Sequence, residues 1–214
     1  WTAIREERYQ EAVRIIMRLK KQDPENPFVW YALGNLHWIL GCVHASEVDH
    51  ELAIEAFNAA IRLKPDYGEA YHRLGDTYDK LGRHAEALKT FKMAIRVNPK
   101  DAAAYSGLSG VYTGMGRYED ALKAAKTAIR LEPDYVAAYF GLHTIYSRME
   151  RYEEAVKAMK TAIRLKPDCA LWYFALGRTY KDMGRRAEAV RTYQTLRRLD
   201  SDLAERLRSY IYDE

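Results

Sequence analysis

Between Ala102 and Asp120, the apolar positions of AAAYSGLSGVYTGMGRYED recur at steps of three and four, the spacing of one helix face. The same pattern runs in pairs along the chain: an amphipathic stretch, a short break, a second amphipathic stretch, then a stop. Leu81-Gly82, Met115-Gly116 and Met183-Gly184 mark the break inside a pair, as does the variant Met149-Glu150. Asn98-Pro99 and Glu132-Pro133 close the second stretch, because proline disfavours helix at the residue before it. One feature runs against helix. Gly107, Gly110 and Gly114 fall on one face of the first stretch, each costing about 0.8–1.0 kcal/mol relative to alanine. Two readings of that bare face are open: a ligand approaches the helix closely there, or a neighbouring element crowds it.

The pairs are copies. Pro65, Pro99, Pro133 and Pro167 are 34 residues apart. Tyr71, Tyr105, Tyr139 and Tyr173 keep the same step, as do Tyr78, Tyr112, Tyr146 and Tyr180, so two columns account for eight of the 17 tyrosines. This periodicity makes those tyrosines packing residues rather than stacking platforms for bases. Ala87, Ala121, Ala155 and Ala189 form another column, and Ala94, Ala128 and Ala162 a further one. Small residues in register allow close helix packing. A single hairpin cannot bury its apolar face, so the copies are expected to stack.

Within one copy, Tyr71-x2-Leu74-Gly75-x2-Tyr78 precedes Ala87-x3-Phe91 and then Pro99. This pattern resembles the tetratricopeptide repeat family, in spacing and residue type, over four full copies. The resemblance implies an all-α, right-handed superhelical solenoid of stacked antiparallel helix pairs. The expected organisation is one solenoid over residues 1–214, with a partial N-terminal repeat at 1–26 and an insert-bearing repeat at 27–67. Regular repeats follow at 68–101, 102–135 and 136–169, then a last repeat at 170–201 and a capping helix at 202–214. Residues 5–24 match only the second helix of a repeat, which makes Trp1 to Ile4 the tail of a first helix and leaves an open stacking edge. A chain starting at Trp1 rather than Met is read as trimmed at its N-terminus. Pro24 and Pro65 are 41 residues apart, so the 27–67 repeat carries seven extra residues, placed at about Cys42 to Val48. Ser46-x-x-Asp49 reads as a capping box that starts the second helix about a turn early.

Composition adds exclusions. The chain is 48% hydrophobic and 30% charged, with 34 basic and 30 acidic residues and a net charge of +4, an excess too small to imply nucleic acid. No apolar run reaches the roughly 18 residues of a membrane span, and no signal peptide is visible. Cys42 and Cys169 match no CxxC pattern, which fits a reducing, cytoplasmic setting. No phosphate loop, HExxH or serine elbow occurs, so no enzymatic activity, catalytic residue or cofactor is expected. His37, Cys42, His44, Glu47, Asp49 and His50 crowd together, but their spacing fits no ligand pattern; core packing accounts for His37, a solvated loop for the rest, and no metal is expected. Lys89-Lys92-Arg96, Lys123-Lys126-Arg130 and Lys157-Lys160-Arg164 form a basic ridge on the second helices. Such a ridge could track phosphates or an anionic membrane. A solvated face with Glu119–Lys123 and Glu153–Lys157 pairing is the preferred account.

The resemblance also implies a site. First helices in this family line a concave groove where peptides commonly lie. Carried over column by column, it offers Tyr31, Asn35 and Trp38, then His72 and Asp76, Gly110 and Gly114, Phe140 and Arg148, and finally Phe174 and Arg178. Tyr31, Trp38, Phe140 and Phe174 would supply apolar pockets, and Arg148 and Arg178 would pair with acidic groups. The carboxylate-clamp mode of some members is disfavoured: Asn35 fits it, but Tyr31, Ala103 and Gly107 stand where basic residues belong. The expected function is a scaffold or adaptor binding a protein or peptide partner in this groove. The alternatives are self-assembly, as a homo-oligomer through the N-terminal edge, and association of the basic ridge with nucleic acid or membrane.

Overall fold

The computed structural model describes the backbone of residues 2–212 and the side chains of Tyr9 and residues 11–212. Among the described residues there are twelve helices and no strand. They are α1 (Thr2–Gln22), α2 (Pro27–His44), α3 (Glu47–Leu63), α4 (Gly68–Lys80), α5 (His84–Val97) and α6 (Ala102–Gly114). Then follow α7 (Tyr118–Leu131), α8 (Val136–Arg148), α9 (Tyr152–Leu165), α10 (Ala170–Asp182), α11 (Arg186–Leu199) and α12 (Ser201–Tyr212). The chain divides into two compact units, Trp1–Met115 and Gly116–Glu214. In the first, α2 pairs with α3 and α4 with α5, α1 rests on α2, and α6 packs on α5 and α4. In the second, α8 pairs with α9 and α10 with α11, α7 packs on α8, and α12 covers α10 and α11.

The repeat columns are the core. Ala53, Ala87, Ala121, Ala155 and Ala189 are all 0% exposed, and so are Ala60, Ala94, Ala128 and Ala162. Methyl groups at these positions let helix backbones approach, and the gaps are filled by occasional large side chains such as Phe57, Phe91 and Met159. Turn chemistry is equally regular. Gly82, Gly116 and Gly184 sit at φ 70–73°, where a Cβ is costly. The N–H of Arg83 returns to the Tyr78 carbonyl at 2.9 Å, and that of Arg185 to Tyr180 at 2.8 Å, the closing bond of a helix C-cap. Glu150 takes the same left-handed conformation at φ 57° without being glycine. Arg83, Arg151 and Arg185 each donate to the glutamate three residues on, anchoring the start of the following helix.

The chain's start and insert differ from the sequence reading. Thr2–Ile4 continue α1 without a break, so they are not the tail of a separate first helix; Trp1 lies outside the described residues. Of the residues placed in the insert, 42–44 and 47–48 are helical rather than loop, though solvent-exposed, and only Ala45 and Ser46 lie between the two helices. Helix α2 has 18 residues against 13 in α4, and α3 has 17 against 14 in α5. Ala45, at φ 51°, ends α2, and the Ser46 hydroxyl accepts from the Asp49 N–H to open α3. The Ser46 N–H goes to the Gly41 carbonyl and the Asp49 carboxylate to His37, so only the serine half of the expected capping box forms.

Candidate functional site

Two clefts open on the first helices, one in each unit, and their linings are set by which columns depart from the repeat. In the first unit a cleft of about 550 Å³ lies among α2, α4 and α6. Tyr31 and His72 line it, with Asp66, Glu69, Arg73, Asn98 and Asp101. Tyr31 is held by Tyr67 at 5.0 Å and Phe57 at 5.9 Å between ring centroids. Burial first, then the neighbouring Tyr31 and Glu69, push the Tyr67 hydroxyl up to about 12, so it remains a donor at all ordinary pH. His72 lies 3.6 Å and Arg73 3.9 Å from Asp76. Burial raises the Asp76 carboxyl, opposed by the neighbouring His72 and Arg73. Arg73 also covers the Trp38 ring at 5.1 Å, and Trp38 packs against the Phe57 cluster. Trp38, Asn35 and Asp76 are therefore half-buried beside this cleft and not in its lining.

The glycine face splits. A Cβ on Gly107 would lie 2.3 Å from the Phe91 ring, so that glycine is bare because the ring fills its place. Gly75 meets the same ring from α4, at 2.8 Å. Gly110 is exposed with open space, and Gly114 faces the His84 ring at 3.0 Å. Crowding is the physical reason at Gly107, and only Gly110 leaves an open face.

In the second unit α8 and α10 enclose a cleft of about 570 Å³. Here the sequence-derived residues converge: Phe140 and Arg148 from α8 with Phe174 and Arg178 from α10. Leu171, 57% exposed, extends the apolar wall. Arg178 lies over the Tyr210 ring at 5.1 Å, and Arg206 over Phe174 at 5.6 Å, so α12 props both α10 residues. The Tyr210 hydroxyl donates to Asp182 at 2.5 Å, which raises its pKa and occupies a carboxylate of the lining.

Sequence reasoning passed over His143. It lines this cleft, is 7% exposed, and stacks under Phe140 at 6.0 Å. Its Nε2 meets the Thr179 hydroxyl at 2.8 Å, and that hydroxyl donates to the Ala175 carbonyl at 3.0 Å. The hydroxyl proton is thus spent, so Nε2 carries the imidazole proton and Nδ1 is left as an acceptor. Nδ1 is buried with no hydrogen-bond partner, as is the Ser147 hydroxyl one turn along α8. Burial, with Arg178 adding to it, lowers the His143 pKa to about 4. A signal was available: His143 stands in the column that holds Gly34, Gly75, Ser109 and Gly177.

The insert residues resolve into two pairs. His37 Nδ1 lies 3.1 Å from Asp49, and His50, 4% exposed, holds the Ser46 carbonyl at 2.8 Å with Cys42 sulfur 3.9 Å from its other nitrogen. Burial would raise the Asp49 carboxyl, but hydrogen bonds with His37 and Ser46 outweigh it and lower the pKa. Among the described residues no group of three or more His, Cys, Asp or Glu is placed to hold a metal ion. No helix among them is long and apolar enough to cross a membrane. The nine ridge cations on α5, α7 and α9 are exposed, and Glu153 pairs with Arg185 at 3.4 Å rather than with Lys157.

Family models agree with this architecture. One tetratricopeptide repeat model matches residues 45–110, 112–173 and 148–209, and another matches 1–68. The chain belongs to the tetratricopeptide repeat family. Its members are in general non-catalytic scaffolds that bind protein or peptide partners. No curated protein matches the chain. Among solved structures, TTC0263, a thermophilic TPR protein of Thermus thermophilus, is 27% identical with a TM-score of 0.73, over 86% of this chain and 98% of its own. A MamA structure is 26% identical with a TM-score of 0.62, over 74% of this chain and 93% of its own. YrrB, described as a TPR protein with an unusual peptide-binding site, shares the fold at 19% identity and a TM-score of 0.59, over 91% of this chain and 97% of its own.

Proposed function

We propose that this chain is a non-catalytic scaffold that holds a partner peptide or short helix against the exposed faces of its first helices. The observation that carries this reading is the α8–α10 cleft. Phe140, Arg148, Phe174 and Arg178, spread over two repeats, line one concavity with an apolar wall and two cations. Such a mixture suits an extended or helical segment with apolar anchors and acidic flanks, because desolvated anchors give affinity while charges set orientation. The Tyr31–His72 cleft of the first unit is a second candidate surface, with a more acidic lining.

The test is a nuclease-treated lysate pull-down comparing wild type with a Phe174→Glu, Arg178→Glu bait of equal helicity. Capture of a protein by wild type alone supports the reading; identical captures overturn it. The same preparations discriminate the other uses. Concentration-dependent mass would favour self-association, and steeply salt-dependent retention of DNA or RNA would favour the exposed basic ridge.

A further inference from the structure

The acceptor at the base of the α8–α10 cleft carries more information than the apolar wall. Nδ1 of His143 is buried without a hydrogen-bond partner, and the Thr179–Ala175 relay keeps the proton on the opposite nitrogen. An unpaired buried acceptor is costly, and a ligand that supplies the missing donor recovers that cost. The imidazole stays neutral at ordinary pH, so it asks for a donor rather than an anion. Water does not reach this atom, and Phe140 lies along the imidazole while remaining 36% exposed itself. The His143 ring lines the cleft among Phe140, Leu171 and Phe174, so a donor brought to it from the cleft is best carried on an apolar body. Aromatic side chains with one polar hydrogen meet that description. The charged side chains of the lining are two cations, Arg148 and Arg178, against one carboxylate, Asp182, and Arg148 is exposed.

We propose that this cleft is a receptor for an acidic peptide segment anchored by a tryptophan or tyrosine, whose ring N–H or O–H donates to His143 Nδ1 while flanking carboxylates meet Arg148 and Arg178. The inference rests on the partner-binding reading above and specifies the partner's chemistry. Ser147, whose hydroxyl is also unpartnered, lies one turn from His143 and supplies a second polar contact for the anchor.

The experiment selects random peptides of about 12 residues displayed on phage against the full chain, then measures the selected peptides by fluorescence anisotropy. The expected consensus is a tryptophan or tyrosine between acidic residues. Replacing the anchor's indole by the isosteric benzothienyl ring, or a tyrosine by phenylalanine, should weaken binding about tenfold, since it removes only the donor. His143→Phe keeps the bulk of the ring, removes the Nδ1 acceptor and should weaken binding similarly; replacing the anchor's ring tests the same bond without altering the protein. Peptides that bind without a donor-bearing aromatic, or ignore both changes, overturn the inference. If those peptides are still lost on Arg148→Glu with Arg178→Glu, the scaffold reading survives without it. Peptides indifferent to the arginines as well, or no selected peptide, count against both.

Discussion

Gly107 and Gly110 lie three residues apart on α6, and alanine should stabilise the protein at Gly110 but not at Gly107. At Gly110 the new methyl meets nothing within 4 Å, so only backbone entropy responds. The helix gains about 0.8–1.0 kcal/mol. At Gly107 the same gain is set against a Cβ 2.3–2.4 Å from two Phe91 ring atoms. The ring has little room to retreat: it is 1% exposed, and Gly75 of α4 also approaches it, at 2.8 Å from a Cβ position. Overpacking of this kind costs about 1–3 kcal/mol, which makes Gly107→Ala neutral to about 2 kcal/mol destabilising. The two variants should therefore be separated by about 1–3 kcal/mol, or several degrees in unfolding midpoint for a chain of this size. Urea and thermal unfolding followed by far-UV circular dichroism read this directly. Phe91→Leu removes the clashing ring atoms, so in that background Gly107→Ala should lose its penalty. Stabilisation at both glycines, or no relief from Phe91→Leu, would refute the packing argument.

Three further outcomes follow from the same geometry. Glu150→Gly should raise stability by about 1 kcal/mol, since it relieves a left-handed residue at the α8–α9 turn; denaturant midpoints check it. Ser46→Ala should cost about 1 kcal/mol by leaving the Asp49 N–H without its cap at the start of α3, and the same measurement applies. His143 titrates near 4 when folded against 6.5 when free, so the unfolded chain takes up the proton first as pH falls. Its contribution is intact above about pH 6.5 and drains toward pH 4, by about 3 kcal/mol in all. The fall in unfolding midpoint between those pH values should be shallower in His143→Gln, and equal slopes would contradict it.

The sequence alone determined the repeat. Helix spacing, the 34-residue step, the proline stops and the glycine turns depend on local backbone chemistry, which each copy restates, so helix pairs, buried alanine columns and the Ser46 cap were all legible. Four of the proposed groove residues converge in one cleft for the same reason: Phe140 and Phe174 are equivalent positions on successive first helices, and Arg148 and Arg178 follow them eight and four residues on, along the same helix faces. What periodicity does not encode is the side chain that a neighbouring helix brings into a gap. Only tertiary structure decided that Phe91 fills the space at Gly107 while Gly110 stays open. It also lengthened α2 to 18 residues, with His50 buried against Gly41, where a Cβ would come within 2.5 Å of its ring. His143 is the sharpest case. As a letter it is an oversized residue in a small-residue column; its hydrogen-bond state depends on Thr179, which stands 36 positions away in sequence and 2.8 Å away in space.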